Sequence, residues 1–188
     1  MIKINDLNFG YSKHKLLFKN LSMQLSNGHI YGLLGKNGAG KSTLAKVLAG
    51  ENMPAGGAVN RTGKIGYLPQ DPRTGDEPGS VIDRILSARD LDQIASRMRA
   101  VEEEMATAQG EALEKAMERY GRVESEFSAA GGYAATAEAE AIATSLGVSE
   151  AVFGNELSTL SGGQRRRIEL ARILFSGAET LLLDEPTN

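Results

Sequence analysis

Ile30-Tyr31-Gly32-Leu33-Leu34-Gly35-Lys36-Asn37-Gly38-Ala39-Gly40-Lys41-Ser42-Thr43 is the stretch on which the fold turns. It opens on a continuous apolar run, and after Thr43 the residues Leu44, Val47 and Leu48 recur at helical spacing before Gly50. The run predicts a strand buried on both faces, and the spacing that follows predicts a helix. Between them, residues 35 to 42 match G-x-x-x-x-G-K-[ST] in the strand-before, helix-after context that the pattern requires. Glycines at 35, 38 and 40 let backbone N–H groups converge on phosphate oxygens, and the helix N-terminus adds the positive end of its dipole. In such a loop Lys41 contacts the β- and γ-phosphates while the Ser42 hydroxyl ligates Mg²⁺.

Upstream, apolar residues alternate at Ile2/Ile4 and at Leu21/Met23/Leu25, on either side of the polar stretch Tyr11 to Lys15, which predicts antiparallel strands. Downstream, Lys64 to Leu68 reads as a β segment that stops at Pro69, and a turn-rich stretch runs from Asp71 to Gly79. From Ile94 the apolar positions Met98, Val101 and Met105, then Leu113, Met117, Tyr120, Val123 and Phe127, step by three or four residues around Gly110. That pattern predicts an antiparallel helical hairpin over about residues 94–130. Residues 133–146, rich in Ala and Glu, predict a further helix ending near Gly147. Thr180-Leu181-Leu182-Leu183 has the form of a central parallel strand and leads directly into two carboxylates.

Composition narrows the classes of function. At 188 residues and 41% hydrophobic the chain can build one core of ordinary size, with or without a helical appendage. A net charge of −3 gives no bulk electrostatic reason to bind nucleic acid. With no cysteine there can be no disulfide, thiolate metal site or cysteine nucleophile, which fits a reducing, cytoplasmic setting. The N-terminal residues carry no apolar signal core, and no run reaches the roughly 18 apolar residues of a membrane span.

Two further motifs carry chemistry. In Leu183-Asp184-Glu185-Pro186, Asp184 is placed to hold Mg²⁺ through its water shell and Glu185 to orient or deprotonate an attacking water. In Leu160-Ser161-Gly162-Gly163-Gln164, a serine and two glycines open a helix running from Arg165 to Phe175, presenting N–H groups and a hydroxyl to a second anion. Arg165, Arg166 and Arg167 lie in the first turn of that helix and read as a solvated face opposite Ile168, Ala171 and Leu174.

Taken together, Tyr11, GKNGAGKST at 35–43, Gln70 in YLPQD, LSGGQ at 160–164 and LLLDEPTN at 181–188 resemble the ATP-binding cassette family over essentially the whole chain. The resemblance implies an α/β fold, a P-loop NTPase cassette with an N-terminal antiparallel β subdomain and an inserted helical subdomain. Its expected divisions are residues 1–70 for the β subdomain and phosphate-loop core, 80–157 for the helical subdomain, and 158–188 for the signature helix and the strand before Asp184. It implies ATP and Mg²⁺ as ligands. Gly35, Lys36, Asn37, Gly38, Ala39, Gly40, Lys41, Ser42 and Thr43 would hold the phosphates, with Tyr11 stacked on adenine. Ser42, Gln70 and Asp184 would serve the metal, Gln70 would sense the γ-phosphate, and Glu185 would act in catalysis. Ser161, Gly162, Gly163 and Gln164 would close over ATP held by a second cassette, as a dimer or tandem pair.

Within the family, residues 67–188 resemble the ABC-F branch, whose members act on ribosomes, whereas residues 18–44 are more similar to a transporter cassette, whose partner would be a transmembrane permease. The hairpin would be the element that reaches ribosomal RNA or tRNA, yet residues 90–130 hold ten carboxylates (two Asp and eight Glu) against five Lys and Arg. Like charges would oppose contact with a phosphate backbone. The family continues past DEPTN into a further strand bearing a histidine that contacts the γ-phosphate. His14 and His29 lie far upstream of that position. The chain is accordingly expected to be a C-terminally truncated cassette, weak or inactive in hydrolysis by itself.

Overall fold

Alternation is the first thing the chain turns into structure. The computed structural model describes residues 1–12, 15–70 and 79–185; His14, most of the turn-rich stretch from Asp71 and the closing Pro186-Thr187-Asn188 lie outside the described residues. Strand β1 (Ile2–Phe9) buries Ile2, Ile4, Leu7 and Phe9. The step from Ile4 to Leu7 is one residue too long for strict alternation. The register shifts there, and Asp6 takes a φ of 47°, so the bulge returns Leu7 to the inner face. Ser22 anchors the bulge, its Oγ accepting from Asp6 N at 2.8 Å. Strand β2 (Phe18–Leu25) pairs antiparallel with β1, Ile2 opposite Leu25, as the sequence predicts.

Helix α1 (Lys41–Ala49) packs Leu44, Val47 and Leu48 against the inner face of β1. It ends at Gly50, whose φ of 92° closes the helix through N–H bonds to the Lys46 and Val47 carbonyls. On the other edge of β1 lies β3 (Gly56–Arg61), antiparallel, giving the order β2-β1-β3. From β3, Arg61 donates through Nε to the Leu48 carbonyl at 2.7 Å and through Nη2 to the Val47 carbonyl at 2.6 Å, a cation at the negative end of α1. The sequence did not announce β3, since GGAVNR holds one large apolar residue.

Strands β4 (Ile65–Leu68) and β5 (Thr180–Leu183) form a separate parallel pair, with Ile65 opposite Thr180 and Leu68 opposite Leu183. Asp184 N continues the ladder by donating to the Leu68 carbonyl at 3.0 Å. Ile65 and Leu182 pack against the cluster that α1 shares with β1.

The predicted strand over 30–34 is not formed. Residues 30–34 make no ladder with β4 or β5, and Ile30 and Leu34 are 102% and 93% exposed. A central strand of a parallel sheet needs a neighbour on each edge and cover on both faces. Among the described residues this run has neither, so its apolar composition states a requirement for burial that stays unmet.

Among the described residues, those up to Gln70 and from Gly177 to Glu185 make one compact unit, and those from Gly79 to Ser176 another. The second is helical: α2 (Val81–Leu86), α3 (Asp92–Thr107), α4 (Glu111–Ala129), α5 (Gly132–Ser145) and α6 (Gly162–Phe175). Its core is built from Val81, Ile85 and Leu86 of α2, Ala135, Ala139 and Ala143 of α5, and Ile168, Ala171 and Phe175 of α6. Small residues on α5 let the helices approach closely. Helices α3 and α4 form the predicted hairpin, turning at Ala108 to Gly110. Arg89 ties α5 to the end of α6: its guanidinium lies 3.8 Å from the Phe175 ring centre, Nε donates to the Phe175 carbonyl at 2.7 Å, and both Nη atoms donate to Glu138.

Candidate functional site

The phosphate loop of the first unit runs from a segment without regular secondary structure through turns at Asn37 and Gly38 into α1. Gly38 and Gly40 adopt φ of 80° and 96°. At Gly40 a side chain is doubly excluded, because an added Cβ would lie 2.8 Å from Leu17 Cδ2. Gly40 also occupies the N-cap of α1 with no side-chain hydrogen bond, so the first N–H groups of the helix have no side-chain acceptor of their own at the cap. Lys41 folds back over the loop and donates from Nζ to the Gly35 carbonyl at 2.9 Å and the Lys36 carbonyl at 3.1 Å.

A cleft of about 720 Å³ opens on this loop, a size suited to a small organic ligand. It is lined by Asn37, Gly38, Gly40, Lys41, Ser42 and Thr43 of the loop and by Tyr11, Gln70 and Glu185. Residues far apart in sequence thus face one space. Tyr11, 74% exposed, is held edge-on to Phe9 with 5.3 Å between ring centres, and its hydroxyl lies 3.0 Å from Thr43 Oγ1. Gln70 Nε2 donates to Glu185 Oε2 at 2.9 Å. Glu185 adopts a φ of 50°, a left-handed conformation at the turn leaving β5. Ser12, Lys15, Leu16 and Leu17 also line the cleft, and their sequence does not single them out. The signal is weak, because a polar stretch followed by two leucines has neither helical nor strand period.

Asp184 is 8% exposed and follows directly on β5. With Ser42 it offers a carboxylate and a hydroxyl, the oxygen donors a small hard cation prefers. Among the described residues no three His, Cys, Asp or Glu gather in a way that could hold a metal. Mg²⁺ fits such a sparse donor set, since it is commonly bound by one or two protein oxygens with the remaining ligands from water and substrate phosphates.

Ser161 to Gln164 belong to the second unit. Ser161 caps α6, its Oγ accepting from Gln164 N at 3.3 Å while Gln164 Oε1 accepts from Ser161 N at 3.0 Å, a reciprocal capping box. Gly162 and Gly163 are exposed, and an added Cβ at either would meet nothing within 4 Å. Packing therefore does not demand glycine at either position.

The three arginines that follow do not share one solvated face. Arg167 is exposed and donates to the Gly147 carbonyl at 3.2 Å, whereas Arg166 is only 7% exposed. The same helix buries Glu169 at 3% exposure, which accepts from Arg84 Nε at 2.5 Å and Arg172 Nε at 2.9 Å. Helical spacing puts Ile168 and Ala171 on the buried stripe, while Leu174 is exposed. It could not show that α2 covers a polar stretch beside that stripe.

On the hairpin, Arg97 pairs with Glu126, Arg99 with Asp83, Lys115 with Glu111 and Arg119 with Glu104. Most of its few cations thus face carboxylates of the same unit, and its acidic excess stands.

Comparison with known proteins gives this geometry a context. The family model described as ABC transporter matches residues 18–188. The tylosin resistance ATP-binding protein TlrC of Streptomyces fradiae is 39% identical over 179 residues, covering 93% of this chain and 32% of that protein. The energy-dependent translational throttle protein EttA of Escherichia coli K12 is 33% identical over 193 residues, covering 96% of this chain and 34% of its own length. The chain thus spans about a third of these curated relatives. Among solved structures, an inward-facing putative metal-chelate type ABC transporter matches 99% of the chain at 27% identity and a TM-score of 0.62, over 60% of its own length.

Proposed function

The chain belongs to the ABC transporter family of ATP-binding cassettes, and from that premise we propose that it is one cassette of an ABC-F-type, translation-associated ATPase. The observation that carries the branch is the similarity to the translational throttle protein, which extends over 96% of this chain and so takes in the α3–α4 hairpin. ABC transporter F family member 4 of Arabidopsis thaliana, 35% identical over 187 residues, supports the same branch.

In this reading the loop Gly35 to Thr43 holds the triphosphate, Lys41 exchanging the Gly35 and Lys36 carbonyls for phosphate oxygens. Tyr11 offers its exposed ring to adenine. Ser42 and Asp184 would hold Mg²⁺ together with the phosphates, and the ion would supply positive charge beside the transferring group. Gln70 senses the metal and γ-phosphate, and Glu185 orients the attacking water once Gln70 has yielded its hydrogen bond. Ser161 to Gln164 act on ATP held by a second cassette, so turnover belongs to a pair with two-fold character. A cytoplasmic location follows from this role.

A second reading, the ATP-binding subunit of a membrane transporter with a permease partner, is favoured by the solved transporter structures that match the fold. Among the described residues no helix is long and apolar enough to cross a membrane, so the crossing would fall to the permease. Sedimentation of the full-length protein with ribosomes, in the presence of a slowly hydrolysed ATP analogue, decides between the two. Recovery with ribosomes supports the ABC-F reading, and recovery only with membranes supports the transporter.

A further inference from the structure

The parallel pair β4–β5 has one polar atom that its own packing does not explain. Tyr67 stands on β4 opposite Leu182, and its hydroxyl oxygen is buried with no hydrogen-bond partner among the described residues. A buried hydroxyl left in this state is costly, so its retention asks for a partner in some other state of the protein.

Strand alternation says where that partner lies. Ile65 and Leu182 both pack on the cluster containing Leu44, Val47 and Leu48 of α1. Tyr67 is two residues on from Ile65, and Asp184 is two residues on from Leu182, so by the period of two both share that face. Tyr67 is then the diagonal neighbour of Asp184 across the two strands, within the reach of a long aromatic side chain. Among acidic groups, the Asp184 carboxylate has the largest influence on this phenol. The hydroxyl is pushed up to about 12, first by burial and next by Asp184.

We propose that the Tyr67 hydroxyl is a positioning group for Asp184, donating a hydrogen bond that fixes the carboxylate's orientation when Mg²⁺ and nucleotide are bound. Tyr67 touches neither ATP nor metal in this scheme and acts through Asp184. The inference rests on the Mg-ATP reading of the site. Groups that orient a metal-binding side chain commonly matter by about 10- to 100-fold in metal affinity.

The test is calorimetric titration of ATP into the 188-residue protein and its Tyr67→Phe variant, each with Mg²⁺ and with EDTA, alongside thermal denaturation. In the parent, Mg²⁺ should strengthen ATP binding; no ATP binding at all would sink the site itself rather than the role of Tyr67. In Tyr67→Phe the EDTA affinity should stay close to the parent's while the Mg²⁺ enhancement falls by about 10-fold or more. The melting temperature should hold or rise, because a buried unpaired hydroxyl has gone. An unchanged Mg²⁺ enhancement overturns the proposal. If Tyr67→Phe does not fold, Asp184→Asn and Tyr67→Trp decide. An indole N–H at this position that preserves the Mg²⁺ enhancement supports a donor role, and a loss in Tyr67→Trp equal to that in Asp184→Asn overturns it.

Discussion

Gln70 and Glu185, 115 residues apart in sequence, are joined by a hydrogen bond of 2.9 Å from the amide nitrogen of one to the carboxylate of the other. The bond engages one of the two oxygens of the Glu185 carboxylate, the group that the proposed reading assigns to the attacking water. Glu185→Gln should leave ATP affinity within about twofold of the parent, since the substitution removes charge but keeps a planar acceptor. Phosphate release by an assembled cassette pair should fall at least about 100-fold, the lower end of general-base contributions. Release unchanged by Glu185→Gln in such a pair would remove Glu185 from catalysis.

Lys41 directs its ammonium at two backbone carbonyls, those of Gly35 and Lys36, and a phosphate is the stronger acceptor. Replacing Lys41 with alanine should weaken ATP binding by roughly 1.5–3 kcal/mol, the net value of a charge-assisted bond, while the fold persists. That is about tenfold to a hundredfold or more in Kd by calorimetry. Equal affinity in mutant and parent would refute the site.

On the proposed reading, the capped loop at Ser161 of one molecule completes the site around ATP held by another. Phosphate release per chain should therefore climb with protein concentration and stay well below about 1 per second in dilute solution. A fast rate independent of concentration would show that one chain suffices.

The capping box at α6 has a stability signature separable from nucleotide binding. Ser161→Ala removes the acceptor for Gln164 N and should cost about 1 kcal/mol in urea denaturation. ATP affinity of the loop at 35–43 should be unaffected. A shift in affinity with no change in stability would overturn the assignment of Ser161 as a structural cap in the free chain.

Arg89 holds the Glu138 carboxyl below its ordinary value of 4.5, chiefly through their hydrogen bonds. Since the folded state is the one with the lowered value, the contribution is fully present above pH 4.5 and is lost as the pH falls through the folded value. Glu138→Gln should lower stability slightly at neutral pH, because the pair is half exposed, and by less as the pH falls below that value, so the acid limb flattens by the same small amount. Identical acid limbs in denaturant titrations of the two proteins would exclude the pair from acid unfolding.

Much of this was legible in the chain. The glycine loop, the hairpin break at Gly110 and the paired strands β1 and β2 follow from local period and turn chemistry, which sequence states directly. Long-range pairing is stated only in part. The run Ile30–Leu34 has the composition of a central strand, but composition specifies burial and not the neighbour that provides it. Strand β3 was silent because it is held to β1 through backbone bonds rather than large side chains. Arg166 was misplaced and Glu169 passed over because a buried charge is compatible with a helix face only when a neighbouring element helps to pair it, and no spacing within α6 encodes Arg84.

The pairing of Ile65 with Thr180 also sets a timetable for synthesis. Helices α2 to α6 are contiguous in the chain and can collapse as soon as they emerge. Strand β4 is made before them and β5 after them, with residues 69–179 between. At roughly 5–20 residues per second the earlier strand waits on the order of 5–20 s for its mate. During that interval Leu68, fully buried in the finished sheet, has no cover from β5. Nascent chains stalled inside this window should be the most dependent on chaperones, and release from that dependence should coincide with the appearance of residues 180–183 outside the exit tunnel.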